Sequence, residues 1–312
     1  MKVARRFLLL LVCVFVGLGV AAQGVPAPFS GERALAHVRA LVALGPRPAG
    51  SLAIQRARDY ILKQLRRAQT GGGLPAHIDV EELSFAASTP RGRVLMTNYV
   101  AKIPGKRREI IVLAGHYDTL RLEGFVGAND AGSSTGLLLE LARVLAARQN
   151  EFTLWLVFFD GEEAIRQWGP QDGLYGSRYL ANRWQQQGIL PRMRAFLLLD
   201  MVGDRDLRLR RELNSTPWLV ELVWNVAHEL GYAGHFSDEQ LAVEDDHLPF
   251  LRAGVPAVDL IDFEYGPNNR YWHTTEDTLD KLSARSLSIV GKVVLETVRR
   301  LEQRWPGSSL IP

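Results

Sequence analysis

Apolar positions fall into two rhythms along this chain, and the rhythms alternate. Helical spacing predicts helices over Gly31 to Leu44 and Ala53 to Arg67, separated by the turn Gly45-Pro-Arg-Pro-Ala-Gly50. Short apolar runs predict strands near Ile78 to Leu83, Val94 to Ile103 and Ile110 to Ala114. A helix after Asp130 carries Leu137, Leu138, Leu141, Val144 and Leu145. It is followed by the strand Thr153-Leu-Trp-Leu-Val-Phe-Phe159, a helix near Ser177 to Gln187 and the strand Ala195-Phe-Leu-Leu-Leu199. Ser215-Thr216-Pro217 opens a helix running to Leu230, with hydroxyl residues ahead of a first-turn proline and Gly231 as the stop. Ala257 to Ile261 reads as a further inner strand and Leu287 to Leu301 as a closing helix. Strands that are apolar throughout are buried on both faces. Their alternation with helices predicts an α/β fold, a mostly parallel central sheet sandwiched by helices in a single domain.

The first 22 residues stand apart. Lys2, Arg5 and Arg6 precede the 14-residue apolar run Phe7 to Val20, and Val20-Ala21-Ala22 is a small-residue cleavage pattern. The run is short of the ~20 residues that a membrane-spanning helix needs. Residues 1–22 therefore read as a signal peptide and 23–312 as one catalytic domain, exported to the periplasm or secreted. A membrane association is expected only if that segment stays attached as an anchor. Its removal takes three basic residues and no acids, so the formal charge falls from +3 to 0 and the sequence pI near 9.1 no longer argues for a nucleic-acid partner. The chain's one cysteine, Cys13, leaves with it, excluding both disulfides and thiol catalysis. No phosphate-binding glycine loop is present; Gly71-Gly72-Gly73 reads as a polar connector. The sequence suggests no stable protein partner.

Candidate chemistry lies where the apolar runs end. Glu162 and Glu163 close the strand that finishes Phe158-Phe159-Asp160-Gly161, at the strand end where α/β sheets bind ligands. Adjacent side chains diverge, so one carboxylate can hold a metal while its neighbour faces a substrate as acid or base. His116, Asp130, Asp200 and His273 sit at comparable strand or loop ends. Imidazole and carboxylate together are what zinc takes in catalytic sites, which leave one position open. Blander roles compete: Asp118 suits a turn, and Asp130 can simply cap the helix it precedes. His37, His77, His228 and His235 read as surface or packing residues, and Trp155, Trp218 and Trp224 as core or helix-surface residues. Trp168 differs, lying among Gln167, Gly169, Pro170 and Gln171 with no apolar periodicity to bury it, and reads as a pocket wall.

The blocks His116-Tyr-Asp118, Gly127-Ala-Asn-Asp130, Asp160-Gly-Glu-Glu163, Leu199-Asp200 and Trp272-His273 resemble the zinc aminopeptidases of peptidase family M28. The run Phe159 to Arg178, with an insert carrying Trp168, and Glu244-Asp-Asp-His-Leu-Pro-Phe-Leu-Arg-Ala-Gly-Val-Pro256 are similar to one branch, the animal-type glutaminyl-peptide cyclotransferases. The resemblance spans roughly residues 30 to 300 and implies a zinc-aminopeptidase-like domain with one Zn²⁺ per chain. It implies Asp130, Glu163 and His273 as zinc ligands, Glu162 as acid/base, and Asp200 as the carboxylate that binds the substrate amide and its leaving nitrogen. Trp168 and Trp272 would wall a glutamine pocket, with Asp245 and His116 behind the ligands. The substrates implied are peptides or proteins with N-terminal glutamine. The family pattern has Ser and His where this chain has Ala131 and Asp259, and the loop from Ile261 to Trp272 is longer, so neither Phe263 nor Tyr265 is assigned to the pocket. Two alternatives stand beside this reading. In a zinc aminopeptidase, His116, Asp130 and Asp200 would hold a second metal; in an inactive domain, the same pocket would only bind peptide N-termini. The intact glutamate pair and His273 count against the latter.

Overall fold

The computed structural model describes residues 28–68 and 78–305. The leader with Cys13, the triple glycine and His77 lie outside the described residues. Helices α1 (Gly31–Val42) and α2 (Leu52–Ala68) lead into strands β1 (Asp79–Thr89), β2 (Gly92–Ile103) and β3 (Gly105–His116). Then come α3 (Gly132–Ala146), β4 (Asn150–Phe159), α4 (Tyr175–Gln186) and β5 (Met193–Asp200). The chain continues with β6 (Leu209–Glu212), α5 (Pro217–Glu229), β7 (Phe236–Leu241), α6 (Leu248–Arg252), β8 (Ala257–Ile261) and α7 (Ala284–Arg304).

Six strands form one sheet in the order β1-β2-β4-β3-β5-β8. The pairings β4/β3, β3/β5 and β5/β8 are parallel, whereas β1/β2 and β2/β4 are antiparallel. The predicted α/β sandwich is therefore present, with a parallel half that carries the strand-end residues and an antiparallel edge. Burial follows the two-residue period of a strand. Ile111, Leu113, Leu154, Leu156, Phe158, Leu197 and Leu199 face a core built with α1, α2, α3, α5 and α7. Ile110, Val112, Ala114, Trp155, Val157, Phe159, Phe196 and Leu198 face the other, built with α4 and α6.

One strand is longer than predicted, and three elements are additional. β1 runs to Thr89 because its hairpin partner β2 pairs with it residue by residue, from Asp79 opposite Lys102 to Thr89 opposite Gly92. β6 and β7 form a separate two-stranded parallel sheet, and α6 is a five-residue helix; all three were absent from the predicted elements. Their short or polar sequences carry no periodicity. Among the described residues no helix is long and apolar enough to cross a membrane.

Candidate active site

The parallel half of the sheet delivers its carboxyl ends to one place. β3 ends at His116, β4 runs into Asp160-Gly-Glu-Glu163, β5 ends at Asp200 and β8 leads to Phe263. The turn after β4 depends on Gly161, whose φ is 72° and whose missing Cβ would stand 2.4 Å from the Met96 sulfur. Asp118 then fixes the two glutamates, accepting the backbone N–H of Glu162 at 3.1 Å and of Glu163 at 3.3 Å. Asp118 is thus more than a turn residue. Asp277 plays the same part on the facing loop, accepting the N–H groups of Asn129 and Asp130 while Tyr265 donates its hydroxyl to it. Asp130 does not cap α3. Ala131 occupies that position without a side-chain bond, and the Asp130 carboxylate turns instead to two imidazoles.

Those imidazoles define two overlapping groups. His273 Nε2 lies 3.2 Å from Asp130 Oδ2 and 3.5 Å from Glu163 Oε2. His116 Nε2 lies 3.2 Å from Asp130 Oδ1 and 3.3 Å from Asp200 Oδ1. Each triad offers one ligand atom per residue, all within 4.8 Å of one another, and Asp130 belongs to both. His273 adopts a left-handed φ of 54°, which costs a non-glycine residue of order 1 kcal/mol. Its ring is held between Trp272, stacked at 4.2 Å, and Phe125, edge-on at 6.1 Å.

The electrostatics of this group suit a cation. Burial pushes Glu163 up to about 7, and the charge of Asp130 adds to the shift. Burial also drives Glu162 well above the usual carboxylate range against the pull of His116, with Glu163, Asp245 and Asp246 adding to the rise. Asp200 rises for the same first cause. Asp130 alone goes below its ordinary value, because its contacts with His116 and His273 outweigh burial. Glu163 Oε1 is buried without a hydrogen-bond partner. A divalent cation among these oxygens would relieve both the repulsion and the unsatisfied atom. The donor set of two carboxylates and one imidazole, with room for a fourth ligand, fits a catalytic metal.

Above the cluster lies a cavity of about 480 Å³, lined by Asp130, Glu162, Glu163, Asp200 and His273 below and by Trp168, Phe263 and Trp272 as aromatic walls. It falls within the roughly 300–1,000 Å³ of small-ligand pockets. Trp168 is 39 % exposed, and Gly173, at a φ of 124°, lets its ring approach where a Cβ would stand 2.9 Å away. Phe263, left unassigned by sequence, packs its ring 4.9 Å from Trp272, while Tyr265 is buried away from the cavity. Asp245 also lines the cavity, and behind it Asp246, Asp259, His247 and Glu212 are buried together. Both carboxylate oxygens of Asp259 lack hydrogen-bond partners, and His247 Nδ1 stands 3.7 Å from one of them. An imidazole thus faces Asp259 from the residue just before α6. The buried Glu212 accepts from His247, Ser215 and Asn214, which outweigh burial and hold its pKa at about 2. Neither His247, which lies within the Glu244 to Pro256 block, nor Glu212 was given a role from sequence, because the two meet only through the fold.

Residues 98–298 match peptidase family M28. A glutaminyl-peptide cyclotransferase of Boiga irregularis is 34 % identical over 260 residues, 71 % of this chain and 70 % of that protein. The crystal structure of an Acidobacteriales bacterium glutaminyl cyclase is 44 % identical and superposes with a TM-score of 0.84, covering 91 % of this chain and 98 % of the other. A leucine aminopeptidase precursor from Bacteroides thetaiotaomicron superposes at a TM-score of 0.77 with 26 % identity, over 88 % of this chain and 98 % of that one.

Proposed function

The chain belongs to peptidase family M28, and from this premise we propose that it is a glutaminyl-peptide cyclotransferase, which converts N-terminal glutamine to pyroglutamate and releases ammonia. The observation that carries this reading is the likeness to a solved glutaminyl cyclase over nine tenths of the chain. We assign Asp130, Glu163 and His273 as the residues that would hold one zinc ion, which would supply Lewis acidity towards the γ-amide carbonyl. Glu162 is the acid/base that takes the proton of the attacking α-amine and returns it to the departing nitrogen; its desolvated setting suits a group that must both accept and donate. Asp200 keeps Oδ1 engaged by the Met201 N–H and by His116, which leaves Oδ2 for the amide nitrogen. Nucleophile and electrophile belong to one residue, so the pocket's main task is to hold a folded rotamer in attack geometry. Trp168, Trp272 and Phe263 are placed to do so. The protein acts after export, with residues 1–22 removed, on peptides or proteins carrying N-terminal glutamine.

One observation favours a second reading. The His116, Asp130 and Asp200 triad has the spacing for a further metal, as a two-metal aminopeptidase would use. Mass spectrometry of a Gln-initiated peptide after incubation separates the cases. Cyclisation lowers the mass by one ammonia, whereas aminopeptidase activity removes a whole residue. Cleavage together with two tightly bound metals, one of them lost in His116→Ala, would overturn the cyclase assignment.

A further inference from the structure

We propose that Glu244 makes this enzyme select glutaminyl peptides whose second residue is cationic, an inference that rests on the cyclotransferase reading above. The cavity has a buried floor and one exposed rim. Its floor is the carboxylate and imidazole cluster, where the glutamine side chain must lie. The rest of the peptide leaves over the rim, formed by Trp168, Ala242, Val243 and Glu244, of which Val243 is half-buried and the others exposed. Among the described residues no lysine or arginine lines this cavity; its charged lining residues are carboxylates apart from His273. The floor acids are the ones a cation would offset, and Glu244 is not among them.

Two loops meet at this rim. Glu244 Oε2 accepts the indole N–H of Trp168 at 3.2 Å, its only hydrogen bond among the described residues. That bond holds the carboxylate against the pocket wall instead of leaving it free in solvent, and the other oxygen remains open to a ligand. A lysine or arginine one residue beyond the cyclising glutamine reaches this position on a long flexible stem, whereas a glutamate there meets like charge.

Glu244 is exposed, so its effect is that of a surface ion pair, modest and screened by salt. The test compares Gln-Lys, Gln-Ala and Gln-Glu peptides of otherwise identical sequence, followed by ammonia release at low ionic strength. Gln-Lys is expected to exceed Gln-Glu in kcat/KM by about three- to tenfold, mainly through KM because the contact is remote from the reacting atoms. The ratio should shrink in high salt, approach one in Glu244→Gln and reverse in Glu244→Lys. Loss of the Trp168 contact would change all peptides alike, so the ratio isolates the charge; Trp168→Phe, which removes the hydrogen bond and leaves Glu244, should keep much of it. A wild-type ratio near one, or a ratio unchanged in Glu244→Gln, overturns the proposal while leaving the cyclase reading intact. Failure to cyclise any of the three peptides overturns both.

Discussion

Glu162 and Glu163 share a backbone anchor in Asp118, yet their carboxylates go to different places. Glu163 Oε2 stands 3.5 Å from His273 Nε2, inside the first triad, whereas Glu162 Oε2 lies 3.9 Å from His116 Nδ1 and faces the cavity. Glu162→Gln should therefore keep its zinc and its peptide affinity while turnover falls by ~10² to 10⁴, the range of general acid–base catalysis. Glu163→Gln should lose metal together with activity. Metal content and single-turnover rates on the two variants check the division, which fails if Glu162→Gln strips zinc. The glutamate pair was legible because charge at the end of a buried strand is conspicuous. Asp118 and Asp277 were not legible in these roles. Each works by accepting backbone N–H groups, Asp118 from residues 44 and 45 positions away and Asp277 from residues 148 and 147 positions away, and a backbone donor leaves no mark in the sequence. For Asp130 the sequence left a helix cap open beside the ligand role, and the fold turns its carboxylate towards His116 and His273.

The insert that carries Trp168 shows how an element without regular structure is made rigid. Buried Asp172 accepts the N–H groups of Ile165, Arg166 and Gln167 at 2.7–2.9 Å and the Tyr175 hydroxyl at 2.8 Å, closing the loop upon itself. Asp172→Ala should cost about 1–3 kcal/mol, since donors within the loop lose their acceptor, and should raise KM by freeing Trp168 while bound zinc is unchanged. Burial opposes ionisation of Asp172, but the three N–H groups outweigh it and leave the pKa below its ordinary 3.8. A depressed folded value means that stability is present above the unfolded pKa and is lost as pH falls through the folded one. The gap between wild type and variant in urea unfolding should therefore be full at neutral pH and close only in strong acid, below about pH 4; a gap independent of pH would argue against the charged contacts. At this scale the long apolar strands were readable, because burial on both faces leaves an uninterrupted run. The polar insert, α6 and the β6/β7 pair were not, since their order comes from side chains reaching across the fold.

At the scale of the whole molecule, the proposed export and the proposed metal together bear on what holds the protein together. Cleavage after Ala22, as proposed, would remove Cys13, the chain's only cysteine, and the mature protein would then have no disulfide to stabilise it in an oxidising compartment. Stability then rests on the two apolar layers on either side of the sheet and on whatever offsets the buried acids at its carboxyl end. A ligand that binds only the folded state stabilises it by mass action, and the unfolded chain scatters Asp130, Glu163 and His273, so zinc should act in this way. Incubation with a strong chelator is expected to abolish activity and to lower Tm by about 5–15 °C, as follows for metal present at 100 to 1,000 times its Kd. Zinc added back should restore both. A phosphine reductant should change neither, and the intact mass of the exported protein should lack the first 22 residues. A Tm that falls with the reductant, or an exported chain that still begins at Met1, would place Cys13 in the mature protein and refute the cysteine-free account; a Tm and activity indifferent to chelation would refute the metal's part in it.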